Sequence, residues 1–268
     1  MNITVLANRD LASNFALNSL LPALAGEHTL RVFLSDAVGG KQERPEPLVQ
    51  LKFFEQTLFN AWLFPLVDAT EDTGELHTFS GLGRYTAEPI ASLNRVNSEE
   101  SLVTLRSSAP DLVLSIRYGG ILREEAIAIP RLGVINLHSG LLPAYRGVMA
   151  TFRALLAGDT EIGTTIHTIT DPGIDTGDII AETRLAVDPE RSYLWHVLAL
   201  YPPACEKLVA CVDELAAGNN LPLSPQPGGG AYFSFPDDET LTEFTATGRK
   251  LVDMEELTQL ARRYSNTL

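Results

Sequence analysis

An asparagine and a histidine two residues apart are the first residues of this sequence that could do chemistry together. Asn136 and His138 lie at the end of an apolar run, Gly133 to Leu137, which is typical of a buried strand. Alternation along a strand points both side chains to one face. An amide can donate a hydrogen bond to a developing oxyanion and an imidazole can carry a proton, so the pair suits acyl chemistry. Taken alone, the pair is equally compatible with a structural histidine.

A second candidate segment runs from Thr170 to Ile180 and is rich in glycine, proline and aspartate. Its acids, Asp171, Asp175 and Asp178, are residues that commonly form turns. Turn chemistry alone would therefore explain them, and a catalytic role needs a further signal.

The elements that must position these residues alternate between strand and helix patterns. Strands are predicted at residues 2–7, 30–34, 112–116, 133–137, 162–169 and 179–185, and helices at 12–24, 47–67, 97–107, 121–129 and 149–157. Asn97 with Glu100 is the spacing of a capping box. The alternation predicts an α/β fold with an open, mostly parallel, Rossmann-like sheet and helices on both of its faces. Ligands of such sheets bind at the carboxyl ends of strands, where Asn136 and His138 emerge.

The composition changes after the last long helix pattern. That helix, from about Ser192 to Ala217, is predicted to split at Pro202 and Pro203. A linker rich in proline and glycine follows. We predict a catalytic domain over residues 1–217 and a small C-terminal α+β appendage over residues 218–268, with a strand at 231–235 and a capping box from Asp253 to Glu256. The appendage could contact a second subunit, cover an acceptor cleft or pack on the main domain.

Composition and charge restrict the class of protein. The chain of 268 residues is 45% hydrophobic, which is typical of a globular protein, and carries a formal charge of -14. This acidic balance argues against a nucleic acid partner. Cys205 and Cys211 read as reduced core residues. The sequence shows neither a signal peptide pattern nor a membrane span, so we expect a cytoplasmic protein.

Together, the two candidate segments resemble a known family. Asn136-x-His-x-x-Leu-Leu-Pro-x-Tyr-Arg-Gly147, followed by Gly173-Ile-Asp-Thr-Gly-Asp-Ile179, resembles the folate-dependent formyltransferases, which include glycinamide ribonucleotide, methionyl-tRNA and sugar-nucleotide formyltransferases. The likeness covers residues 102–185. It implies an enzyme that transfers a formyl group from 10-formyltetrahydrofolate to the amine or hydroxylamine of a small molecule, such as an amino-sugar nucleotide or an amino-acid derivative. It implies no metal.

The resemblance also implies roles for individual residues. Asn136 and His138 would polarise the formyl oxygen, and Asp175 would lie against His138 and collect the proton of the attacking amine. A carboxylate beside an imidazole raises the pKa of the imidazole, so we expect that His138 can be an imidazolium when it faces the tetrahedral oxyanion. His167, on the strand that leads to Asp175, would support the site.

Two loops would hold the folate by the same resemblance. Backbone approach to a flat ring is easy at a glycine, and apolar side chains would form a wall. The predicted residues are Arg117, Tyr118, Gly119, Gly120, Ile121 and Leu122 in one loop and Asp171, Gly173 and Ile174 in the other. Arg9 and Arg146 are weaker candidates for contact with the acceptor, since either could be a surface charge.

Several alternatives remain open within the resemblance. The first strand ends in Ala7 to Asn14, which lacks the glycine-rich turn expected for glycinamide ribonucleotide. The roughly fifty residues after Gly218 do not suit the barrel domain of methionyl-tRNA formyltransferases, but that activity stays an alternative. A 10-formyltetrahydrofolate hydrolase would use the same residues with water, usually behind an amino-terminal regulatory domain, and a non-catalytic folate-binding homologue is a further possibility. A homodimer is compatible with the sequence.

Overall fold

The structure of the protein is a computed structural model that describes residues 1–36, 43–70 and 74–266. In these residues, seven strands form one sheet in the order β3-β2-β1-β4-β5-β7-β8. They are β1 (Asn2–Asn8), β2 (Thr29–Ser35), β3 (Ala91–Ser92), β4 (Leu112–Ile116), β5 (Val134–His138), β7 (Glu161–Ile169) and β8 (Ile179–Ala186). The first five pair in parallel, whereas β7 and β8 are antiparallel to their neighbours. The mostly parallel sheet predicted from the sequence is therefore confirmed.

A second, small sheet consists of β6 (Tyr145–Gly147) and β9 (Ala231–Phe233), which pair in parallel. The helices are α1 (Leu11–Leu24), α2 (Glu46–Lys52), α3 (Phe64–Asp68), α4 (Phe79–Leu82), α5 (Glu99–Ser107), α6 (Glu124–Ile127), α7 (Ala150–Ala157), α8 (Tyr193–Ala199), α9 (Tyr201–Ala216), α10 (Asp238–Ala246) and α11 (Met254–Arg262). A π-helical segment, Phe53–Leu63, joins α2 to α3, and a 3-10 turn, Gly83–Tyr85, follows α4.

Helices cover both faces of the sheet, as predicted. Two adjacent residues of β1, which point to opposite faces of the sheet, show this. Val5 belongs to the larger hydrophobic cluster and Leu6 to the smaller one. The larger cluster takes in residues of α1, α8 and α9, and the smaller one takes in α5 and α6. Burial of both faces explains why the central strands are nearly continuous apolar runs.

Three local predictions need correction. The N-cap of α5 is Ser98, whose hydroxyl accepts from Ser101 N at 3.3 Å, and not Asn97. The side chain of Asn97 instead binds the loop after β4. The helix predicted over residues 121–129 is reduced to α6, because its first residues belong to that loop. The continuous helix predicted from 47 to 67 contains the π-helical segment, a feature that sequence periodicity does not reveal.

The residues after the linker pack into the main core. Phe244 and Tyr264 are almost completely buried in the larger cluster, and the hydroxyl of Tyr264 donates to Asn14 Oδ1 at 2.6 Å. Asp253 caps α11 as predicted, but Glu256 accepts from Ser192 N at 3.2 Å instead of returning to the cap. The helix split expected near Pro202 occurs at Leu200. The division into domains at residue 217 stays a prediction. Residues on both sides of that boundary belong to one hydrophobic cluster.

Cys205 and Cys211 are both buried and free, in agreement with the sequence reading. Within the described ranges, each helix is too short or too polar to cross a membrane.

Candidate active site

Strand pairing brings Asn136 and His167 face to face. They are register partners on the antiparallel strands β5 and β7, and Asn136 Nδ2 lies 3.0 Å from His167 Nε2. His167 Nδ1 lies 2.9 Å from the carbonyl oxygen of Thr168. A proton on Nδ1 satisfies that carbonyl and leaves Nε2 free to accept from the Asn136 amide. A β-bulge beside His167, in the pairing of β7 with β8, is a device that often re-aims a side chain near a functional site.

His138 ends β5 and is buried between two oxygen atoms. Its Nε2 lies 2.7 Å from the carbonyl oxygen of Tyr145, and its Nδ1 lies 3.5 Å from Asp175 Oδ1. The loop can close over the ring because residue 140 is a glycine. A Cβ at Gly140 would lie 2.8 Å from His138 Nε2 and 2.4 Å from the Cβ of Ala150.

Asp175 lies where the two histidines converge. Its Oδ1 is 3.4 Å from His167 Nε2 as well as close to His138, and its Oδ2 accepts from Gly147 N at 2.8 Å. The carboxylate is 10% exposed. Its backbone adopts φ 54°, a left-handed conformation that is uncommon outside glycine. The structure thus brings together Asn136, His138, Asp175 and His167.

The protonation state of His138 in the free protein depends mainly on burial. Burial lowers the pKa of His138, and this outweighs the opposing effects of Asp175 and the Tyr145 carbonyl. Burial therefore favours the neutral ring in the free protein. The expected imidazolium concerns the ring that faces the tetrahedral oxyanion, and it stays a prediction. Burial alone would raise the pKa of Asp175, but His138, His167 and the Gly147 N–H lower it below its usual value. The site combines a carboxylate with a neutral imidazole.

The loop after β4 is fixed by contacts that the motif did not reveal. Tyr118 donates to the Leu93 carbonyl, and Gly119 N donates to Ser35 Oγ at 2.9 Å. Asn97 donates to the Ile121 carbonyl at 2.8 Å and accepts from Arg123 N at 2.9 Å. The sequence pattern predicts Asn97 only as a helix cap. It does not reveal the two hydrogen bonds by which Asn97 holds this loop.

Side chains of the predicted folate loops point in different directions. Ile121 is 54% exposed and available as an apolar wall, whereas Leu122 is buried in the smaller core cluster. In the other loop, Asp171 Oδ1 accepts from Gly173 N at 2.6 Å, which is a turn-forming contact, and Ile174 is half-buried. Their roles towards folate stay predictions.

Arg117 belongs to a buried charged cluster at the carboxyl ends of β1 and β4. Its Nε lies 3.1 Å from Asp10 Oδ2, and its Nη2 lies 3.9 Å from Glu55 Oε1 in the π-helical segment. Burial raises the pKa of Glu55 to about 7, and Arg117 offsets only part of the effect. Within the described residues, Glu55 Oε1 and the Tyr201 hydroxyl are buried without a hydrogen-bond partner. No sequence pattern signals this cluster, because its members lie far apart along the chain.

The two arginines predicted to meet the acceptor are already paired. Arg9 donates to Asp36 Oδ1 at 2.8 Å and to Ser92 Oγ at 2.9 Å. Arg146 donates from Nη2 to the Gly230 carbonyl at 3.0 Å.

Metal-ligating side chains group elsewhere in the described part of the chain. Glu27, His28 and Asp213 are close enough to share an ion, but they lie at the amino end of β2 and on α9, whereas Asn136 lies towards the carboxyl end of β5. This group has no contact with the site described above.

Comparison with known proteins finds a likeness to one family. Residues 67–194 match the family model described as Formyl transferase, and this segment contains Asn136, His138, His167 and Asp175. The match covers slightly less than half of the chain. It agrees with the likeness read from the two motifs. Asp10 and Glu55 lie before the matched segment, and the linker and α10 lie after it.

Formyl transferases of known name also match part of the chain. The methionyl-tRNA formyltransferase of Burkholderia vietnamiensis is 34% identical over 166 residues, which cover 58% of this chain and 50% of that protein. The methionyl-tRNA formyltransferase of Halorhodospira halophila is 35% identical over 175 residues, covering 64% and 53%. The chain thus spans about half the length of these relatives.

Solved structures of formyl transferases share the fold over most of the chain. A sugar N-formyltransferase from a Shewanella species superposes with a TM-score of 0.57 at 15% identity, covering 91% of this chain and 87% of that one. The N-formyltransferase of Helicobacter canadensis, solved with folinic acid and dTDP-3-aminofucose, gives 0.59 at 16% identity, covering 96% and 82%. At these identities the likeness establishes the fold.

Proposed function

We propose that this protein transfers a formyl group from 10-formyltetrahydrofolate to an amine. The observation that carries the proposal is the convergence of Asn136, His138 and Asp175 at the carboxyl end of β5, with His167 against two of them. The match of residues 67–194 to the formyl transferase family model supports the same reaction. The donor is supported by the relatives' named activity and by the Helicobacter canadensis structure with folinic acid.

The transfer requires hydrogen-bond donors that stabilise the negative charge on the formyl oxygen. The amine nitrogen attacks the formyl carbon, and the electron pair of the C=O bond moves to oxygen. Asn136 has a second amide hydrogen besides the one directed at His167, and His138 has its Nε2–H on the Tyr145 carbonyl. The second Asn136 hydrogen would donate to the oxyanion, and the His138 Nε2–H would join it once the ring releases the Tyr145 carbonyl. Donors directed at the developing charge are usually the largest single contribution to acyl transfer.

The attacking nitrogen must also lose a proton. After attack it carries a positive charge, and Asp175 accepts its proton directly or through a water molecule. The lowered pKa of Asp175 keeps this carboxylate ionised across the physiological range. Collapse of the intermediate breaks the bond between the formyl carbon and the folate nitrogen. The proton that Asp175 collected passes to this nitrogen, directly or through water, so that tetrahydrofolate leaves and Asp175 is again a carboxylate. These steps use neither a metal nor a covalent enzyme intermediate.

The charged cluster of Asp10, Glu55 and Arg117 supports entry of the acceptor beside β1 and β4. The order of the sheet reverses between these strands, and ligands of α/β sheets bind at such switch points. Glu55 Oε1 has no hydrogen-bond partner among the described residues beyond its 3.9 Å contact with Arg117, so an acceptor with an N–H or O–H donor would satisfy it. A small polar amine is the acceptor class that these groups and the acidic net charge favour.

Methionyl-tRNA is the second candidate acceptor, because the matched relatives carry that name. Hydrolysis of the donor by water is the third candidate, since the same residues would serve it.

The test is to incubate the protein with 10-formyltetrahydrofolate and to follow tetrahydrofolate release and formyl mass gain together. The acceptor panel contains amino-sugar nucleotides, amino acids, hydroxylamines and methionyl-tRNA. Release that depends on a small amine supports the proposal, and release that depends on methionyl-tRNA selects the second candidate. Release without any acceptor selects the hydrolase, and failure to bind the folate rejects all three.

A further inference from the structure

Residues 224–233, here called the strap, run across the loop that carries Asp175. At one end, Ser224 and Ile179 exchange backbone hydrogen bonds of 2.8 and 2.9 Å. At the other end, β9 pairs with β6. The strap lies outside the segment that matches the formyl transferase family, yet both of its anchors adjoin the catalytic residues.

Gln226, between the two anchors, binds the main chain of the Asp175 loop. Its Nε2 donates to the carbonyl oxygens of Asp175 at 3.0 Å and Gly177 at 2.7 Å. Both hydrogens of the amide are thereby used. The left-handed conformation of Asp175 costs roughly 1 kcal/mol or more for a residue with a Cβ, so surrounding contacts must hold it. Gln226 supplies two of them.

The other end of the strap acts on the carboxylate of Asp175. Gly147 N donates to Asp175 Oδ2, and Gly147 is a register partner of Phe233 in β9. The adjacent Val148 N donates to the Phe233 carbonyl at 3.0 Å. A Cβ at Gly147 would lie 2.2 Å from that carbonyl oxygen, so β6 and β9 approach closely. The strap thus fixes Asp175 from two sides, at its backbone and at its carboxylate.

We propose that Gln226 is a positioning residue for Asp175, and that the strap sets the direction in which this carboxylate faces His138. The proposal rests on the proposed function, in which Asp175 collects the proton of the amine. Displacement of a catalytic group by about 1 Å can reduce turnover by about 100-fold. Loss of the Gln226 contacts would therefore be visible in kcat even if the fold survives.

The test compares Gln226→Ala, Gln226→Asn and Gln226→Glu with Gln259→Ala. Gln259 is a matched control because it is an exposed glutamine on α11 that contacts only Glu255 among the hydrogen bonds described, at 3.4 Å. We expect Gln226→Ala to lower kcat by about 10- to 100-fold with little change in the acceptor KM. Gln226→Asn is one methylene too short to span both carbonyls and should behave similarly. The control should match the wild-type protein.

Gln226→Glu gives a readout that general destabilisation would not. Its carboxylate faces two carbonyl oxygens at neutral pH, whereas its protonated form can donate one hydrogen bond. Its kcat relative to wild type should therefore rise as the pH falls. A second readout is the pKa of Asp175 by 13C NMR, which should rise in Gln226→Ala as the contacts from Gly147 and the histidines loosen.

The outcomes separate the two proposals. If the wild-type protein transfers formyl groups but Gln226→Ala keeps its kcat and its Asp175 pKa, the positioning role is overturned. If the wild-type protein transfers to no acceptor, the proposed function fails, and the NMR comparison still decides whether Gln226 orients Asp175. If Gln226→Ala does not fold, the pH profile of Gln226→Glu decides, and a profile parallel to wild type rejects the proposal.

Discussion

At the scale of single residues, Asp175 carries the sharpest prediction. Asp175→Asn keeps the shape of the side chain and an oxygen for the Gly147 N–H, but it removes the base. We expect kcat to fall by about 100-fold or more while folate binding and thermal stability stay near wild type. Asp178→Asn, in the same loop, is the control and should retain activity. Steady-state kinetics with binding calorimetry would check this, and near-normal turnover of Asp175→Asn would contradict the mechanism.

His138 makes the second prediction at this scale. Burial lowers its pKa, so its NMR titration should show a midpoint below 6.5, the ordinary value. The Asp175 charge opposes that shift, so Asp175→Asn should lower the midpoint further. Between the folded midpoint and 6.5 the unfolded chain binds more protons, and stability should therefore fall as the pH falls through this window. A midpoint above 6.5 would show that burial is not the larger effect.

At the scale of elements, the loop between β5 and α7 depends on a residue without a side chain. In Gly140→Ala the new Cβ would lie too close to His138 Nε2 and to Ala150, so either the ring or α7 must shift. We expect a loss of about 1 to 3 kcal/mol in unfolding free energy and a lower kcat. Gly83→Ala, where a Cβ meets nothing within 4 Å, should change neither. Denaturant titration and kinetics on both variants would check this, and equal behaviour would argue against a packed loop.

Elements with strong periodicity were predictable from the sequence, and long-range contacts were not. The parallel strands and α1 follow from continuous apolar runs and helical spacing, and Asn136 and His138 follow from strand alternation. The opposition of Asn136 and His167 depends on antiparallel register, which one sequence does not specify. Gln226 and Glu55 lie in segments without any motif, and they meet the site only through tertiary packing. The net direction of the His138 pKa in the free protein was not predictable, because burial, the larger effect, depends on the folded structure.

At the scale of the whole molecule, the C-terminal helices α10 and α11 share one hydrophobic core with α7, the helix that follows β6. Phe244 of α10 stacks on Phe152 of α7 with ring centroids 4.5 Å apart, and both are almost completely buried. α7 begins directly after the strand β6 that holds Gly147. Removal of the residues beyond 217 would therefore expose Phe152 and the buried face of α7. Removal of an independent appendage would leave α7 buried.

This shared core makes the last prediction. Phe244→Ala should cost about 3 to 5 kcal/mol of unfolding free energy because it leaves a cavity against Phe152. Unfolding should remain a single transition, with activity and helix content lost together. The reason is that residues 218–268 and the rest of the chain share one core and should unfold as one cooperative unit. Met254→Ala, at an exposed position of α11, should be close to neutral. Calorimetry alongside activity would check this. Two separate transitions, with catalysis surviving the first, would instead support an independent appendage over residues 218–268.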